Sequence, residues 1–68
     1  MDQSRLKLVE ELARKSIEIS KGSGKEIDRY SWMVLHEYIH GVMPSEYDIR
    51  EVDEELYIAI LNRAKELQ

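Results

Sequence analysis

The stretch Gly41–Asp48, "GVMPSEYD", decides how the chain folds. Gly41 can take the left-handed conformation that closes a helix, and Pro44 cannot continue one. Ser45 is a residue type that caps helix N-termini. Asp48 stands three places later at the capping-box position, and Ile49 begins a new apolar face. The stretch therefore predicts the end of one helix, a tight connection, and the start of another that runs from 46 to 67 with a bend near Val52–Asp53. Asp53 offers a second start, capping a shorter helix from Glu54; the single longer helix is the preferred prediction.

Upstream, "KGSGKEI" (Lys21–Ile27) has the same logic. Gly22 can close a first helix, and Ser23 with Glu26 has the S-x-x-E spacing that opens a second at Ile27. "GSGK" lacks the earlier glycine, the following Ser/Thr and the preceding strand of a phosphate-binding loop, so it is read as a helix–helix turn. With residues placed 100° apart, Leu6, Leu8, Val9, Leu12, Ala13, Ile17 and Ile19 share one half of the first helix, which Asp2 can cap. Ile27, Tyr30, Trp32, Val34, Leu35, Tyr38 and Ile39 form the arc of the second. Ile49, Val52, Leu56, Ile60, Ala64 and Leu67 form that of the third. Three helices near 3–20, 24–41 and 46–67 joined by short turns predict an all-α, up-down-up three-helix bundle in one domain.

At 68 residues with no cysteine, the chain is small, without disulfides or thiolate metal sites. It shows no run of membrane-span length and no apolar signal core, which predicts a cytoplasmic protein away from membranes. The formal net charge is −4. Residues 1–21 carry five basic and four acidic side chains, whereas 46–55, "EYDIREVDEE", carries six acids against Arg50 alone. That cluster repels phosphate and suits a basic protein surface. A helix-turn-helix nucleic-acid binder is kept as a further alternative, although its recognition helix would open with acids and hold only Arg50 and Arg63 as long cations.

One motif names a chemistry. His36–His40, "HEYIH", fits H-E-x-x-H, in which a helix brings two imidazoles four residues apart onto one metal and sets a glutamate beside its bound water. Over these five residues the chain resembles the zincin metallopeptidases. The resemblance implies zinc held by His36 and His40 with Glu37 as general base. In the metzincin continuation, the glycine and third-histidine positions fall on Met43 and Glu46; a gluzincin-type ligand would come from Glu51, Glu54 or Glu55. The wheel places His36 and His40 with Arg29, Glu26 and Glu37 on the polar side of the second helix, facing water with no cleft before them. A zinc-dependent hydrolase is thus kept as the alternative, and no cofactor is predicted.

The preferred expectation is a non-enzymatic protein–protein interaction module, acting by self-association or as a small accessory subunit. Each predicted helix has an apolar arc of about 180–200°, wider than a surface helix needs. Met33 and Ile58 fall among polar residues, and Trp32 stands at the border of its arc. Trp32, Met33 and Ile58, with Glu51, Glu54 and Glu55 to steer a basic partner, are the interface candidates. The four tyrosines fit either an interface or the rim of a small core.

Overall fold

The computed structural model describes residues 2–21 and 26–68. Helix α1 spans Gln3–Ser20. Asp2 is extended and its Oδ1 accepts the Arg5 N–H at 2.8 Å, satisfying one of the donors a helix start leaves open. The helix closes on Lys21, which takes the left-handed conformation (φ 53) and donates its N–H to the Glu18 carbonyl. The expected closing residue, Gly22, lies outside the described residues. So do Ser23 of the expected capping box, Gly24 at the expected start of the second helix, and with them the whole "GSGK" turn.

Helix α2 spans Ile27–His40 and stops on Gly41, at φ 81, whose N–H reaches the Glu37 carbonyl at 2.8 Å. Glycine carries no Cβ penalty in that conformation, so the predicted stop is the observed one.

Helix α3 spans Glu54–Leu67, and the expected helix from 46 is corrected to this shorter one. Ser45 does not cap a helix. Its Oγ accepts the N–H groups of Tyr47 and Asp48, both at 3.2 Å. Ser45 and Asp48 also exchange backbone hydrogen bonds at 3.1 and 3.3 Å, closing a four-residue turn. Side-chain-to-backbone bonds of this kind compete directly with helix formation. Arg50 then forks onto Asp48, its Nε and Nη2 donating to the two carboxylate oxygens at 2.8 and 3.1 Å. Asp53 is the better start: its Oδ1 accepts the Leu56 N–H at 3.1 Å, and Glu54 and Glu55 follow in the first turn, where the helix dipole favours them.

The core is shared evenly: Val9, Leu12 and Ala13 from α1, Ile27, Val34 and Leu35 from α2, and Leu56, Ile60 and Ala64 from α3. Ala13, Ser16, Ser31 and Ala64 are wholly buried, and such small side chains let the helix axes approach. Each helix packs against both others. Arg5 meets Asp53 near the starts of α1 and α3, and Glu10 meets Arg63 farther along, so these two helices run parallel. Lys15 pairs with Glu37 on the antiparallel α2. The protein is an all-α, up-down-up three-helix bundle with no strand among the described residues. No described helix is long and apolar enough to cross a membrane.

Glu10 links two helices, accepting from Arg14 of its own helix and from Arg63 of α3, each at 2.7 Å. The Arg63 hydrogen bond is the main cause holding its carboxyl below the ordinary value of 4.5. Partial burial opposes the shift, and Arg14 adds to it. A carboxylate with a lowered folded-state pKa contributes stability above its unfolded value and loses that contribution as pH falls through the folded one. Glu10→Gln is therefore expected to melt below the parent protein at pH 7, the gap closing as pH falls below 4.5. A gap constant down to pH 3 in thermal melts would contradict this linkage.

Ser31 supplies a second test. Ser16 and Ser20 donate their hydroxyls to the carbonyls of Ala13 and Ile17, but the wholly buried Ser31 Oγ has no partner among the described residues. Leaving a hydroxyl desolvated and unbonded costs about 1–3 kcal/mol. Ser31→Ala should stabilise the bundle by about 1 kcal/mol, raising the melting temperature by about 4–8 °C in a domain of this size. A lower melting temperature would show that the hydroxyl is bonded.

Candidate functional site: a loop strapped over the outer face of α2

Arg29, Trp32, Met33, His36 and His40 recur at three- and four-residue spacing, so they form one stripe along α2 opposite Ile27 and Val34. Loop 41–53 folds back over this stripe. His36 was expected to face water; instead it is wholly buried, and the expectation is corrected. The azimuth on the helix was right. The error was in what lies beyond it, because the segment expected to be helical from 46 is the segment that covers the imidazole.

His36 holds that cover by both ring nitrogens. Nδ1 lies 2.7 Å from the Val42 carbonyl, and Nε2 lies 3.1 Å from the Arg50 amide nitrogen. A carbonyl only accepts and an amide N–H only donates, so this geometry assigns a neutral imidazole protonated at Nδ1. One side chain thereby satisfies two backbone groups of the loop, near its beginning and near its end. His40 adds a more exposed bond, Nε2–H to the Glu51 carbonyl at 2.7 Å. The rings stack in sequence, Trp32 to His36 at 5.4 Å between centroids and His36 to His40 at 4.8 Å, edge to face.

This arrangement bears on the H-E-x-x-H spacing. His36 has no uncommitted nitrogen, since a metal at either one must displace Val42 or Arg50. Glu37 turns to α1 and pairs with Lys15. Among the described residues, no three His, Cys, Asp or Glu side chains gather where they could hold a metal ion.

The loop also builds two open grooves that share Trp32. One, of about 350 Å³, is lined by Arg29, Trp32, Met33, Pro44, Ser45, Glu46 and Ile49. The other, of about 420 Å³, is lined by Trp32, Glu51, Val52, Glu54 and Tyr57. Of the interface candidates, Trp32, Met33, Glu51 and Glu54 are thus brought together. Ile58 and Glu55 are exposed on α3 and line neither groove. Sequence reasoning missed Pro44 and Tyr57 as groove residues, and it assigned Ile49 and Val52 to a buried helical face. Ile49 is 67 % exposed and Val52 half-buried. The usable signal was Asp53-Glu54-Glu55, a cap followed by two acids, which makes 46–52 available as loop.

Charge in the second groove is of one sign. Glu51 and Glu54 have no ion-pair partner among the described residues, while the nearby cations are engaged, Arg29 with Glu26 and Arg50 with Asp48. Burial pushes the Tyr57 hydroxyl up from its ordinary value, and the charge of Asp28 pushes it further.

His36→Ala should cost about 3 kcal/mol, from the cavity and from two stranded backbone groups. His36→Phe keeps the ring but strands the Val42 carbonyl and the Arg50 N–H, and should cost about 2 kcal/mol. His40→Ala should cost less than either. Urea melts measure the order, and amide exchange at Arg50 should rise more in His36→Phe than in His40→Ala; the reverse order would remove His36 from its strapping role.

No curated protein and no solved structure matches the chain. The family described as "Domain of unknown function (DUF8662)" matches residues 7–68, a span that takes in most of α1, all of α2 and α3, and the strapped loop between the last two. The chain belongs to that family.

Proposed function

We propose that this chain is a non-enzymatic protein–protein interaction module of the cytoplasm, working as a small accessory subunit or by self-association, with the loop-covered face of α2 as its contact surface. The observation that carries the proposal is the convergence on Trp32 of two grooves walled by Met33, Pro44, Ile49, Val52 and Tyr57. A large aromatic ringed by apolar side chains and bordered by charge is the composition of an interface hot spot. Tyr47, 91 % exposed at the tip of the 45–48 turn, and Val42, exposed on the same loop, extend the apolar surface. A domain this size exposes single hydrophobes routinely, but a run of them along one loop is what a partner buries.

The zinc hydrolase alternative gains no support from a His36 whose two nitrogens hold backbone, or from a Glu37 that pairs with α1. The nucleic-acid alternative gains none from an α3 that opens with Asp53, Glu54 and Glu55.

Sedimentation of the pure protein, and of its complex once a partner is in hand, tests the proposal. Trp32→Ala and Ile49→Ser should each weaken association by about tenfold or more, as hot-spot truncations do, while Leu6→Ser on α1 leaves it unchanged. Association insensitive to both loop-face variants would place the contact elsewhere. A chain that stays monomeric and shows no specific cross-linking through Ile49 in cells would end the interaction reading.

A further inference from the structure

We propose that the groove between Trp32 and Tyr57 receives a lysine or arginine side chain of a protein partner, and that the adjoining groove takes an apolar side chain from the same segment. The inference rests on the interaction-module reading and names its partner's chemistry. The walls of the Trp32–Tyr57 groove are two aromatic side chains and Val52, and two carboxylates, Glu51 and Glu54, stand on its lining. Long cationic side chains carry an apolar stem and a charged head, so the stem lies along Trp32, Val52 and Tyr57 while the head meets carboxylate. A cation over an indole or phenol face gains a further attraction from the ring quadrupole.

Charge selects the occupant. Glu51 and Glu54 have no ion-pair partner among the described residues, and Asp28 lies close enough for its charge to act on Tyr57. Among the described residues no cation lines this groove, and Arg5, Arg29 and Arg50 are paired with Asp53, Glu26 and Asp48. An acidic segment or a phosphate would meet only repulsion here. On the other side of Trp32, Met33, Pro44 and Ile49 offer an apolar wall. The two grooves share one indole, so a basic and an apolar side chain close together in one partner segment fill both.

The probe is a short capped peptide, acetyl-Ala-Leu-Arg-Lys-Leu-amide, set against its counterpart with glutamates in place of arginine and lysine. Trp32 is the chain's one tryptophan, so its fluorescence reports the site directly. The basic peptide should give a saturable change whose affinity falls between about 50 and about 300 mM salt, as screening requires. The acidic peptide should give none. Glu51→Gln with Glu54→Gln should weaken binding about tenfold with unchanged helix content. Glu51→Gln alone, outside any helix, should act in the same direction and guards against a destabilised α3. An equal response to both peptides, or binding indifferent to the glutamate variants, overturns the cation groove. Sedimentation at the same concentrations separates the two levels. If the basic peptide fails but the chain self-associates through Trp32, or cross-links to a partner through Ile49, the cation groove falls and the interaction reading stands; if it fails on a monomer that also cross-links to nothing through Ile49, both fall.

Discussion

The double hydrogen bond of His36 is the constraint on which the outer half of this protein depends. A three-helix bundle of this length can bury a core between its helices but has little left to cover their outer faces. Here α2 uses one such face to hold a loop, and the loop is long enough to need holding. By bonding Val42 and Arg50 through opposite nitrogens, one imidazole closes the loop as a disulfide would in a cysteine-bearing chain, at the cost of fixing its own tautomer. The ring pays no desolvation penalty for a missing partner, because both its polar atoms are satisfied in the neutral form. Trp32, tilted against the ring, and His40, packed edge to face, help fix its orientation.

Between Ser45 and Asp53 two local programmes compete, and magnitudes of similar size decide between them. A capping-box helix from Ser45 would gain backbone hydrogen bonds for 46–53 and bury Ile49. The observed turn instead gives Ser45 Oγ two amide donors, gives Asp48 a forked arginine, and leaves Asp53 to start α3. The tie is broken from outside the segment, since only the loop form presents the Arg50 N–H to His36 and the Glu51 carbonyl to His40. The cost is visible in an Ile49 left largely in water.

Two groups of acids contrast. Glu10, Glu37 and Asp53 are engaged between elements, with Arg63, Lys15 and Arg5, and fix how α1 sits against its neighbours. Asp53 shows the consequence: its hydrogen bond from the Leu56 N–H, with Arg5 adding, holds its carboxyl below the ordinary range. Glu51 and Glu54 make no such pair among the described residues and stand at a groove. Acids between helices serve the fold; acids left over beside aromatic rings are available to a partner.

The apolar periods, Asp2 as a cap, and Gly41 as a stop were all legible in the sequence, because each depends on residues within a turn or two of one another. So was the three-helix, all-α architecture. The burial of His36 was not legible, although its direction on α2 was, because a helical wheel assigns a side chain its azimuth and says nothing about what chain returns to cover it. The start of α3, expected at 46 and found at Glu54, was misread for the same reason: Ser45 and Asp53 are comparable caps, and the choice between them is made by imidazoles up to 17 residues upstream. Sequence alone determined that three helices form and which residues build the core they share, through local hydrogen bonding and periodic burial. Only the tertiary structure decided that "HEYIH" fastens a loop, because the hydrogen bonds that commit its histidines come from backbone groups whose positions exist only once the loop has folded over them.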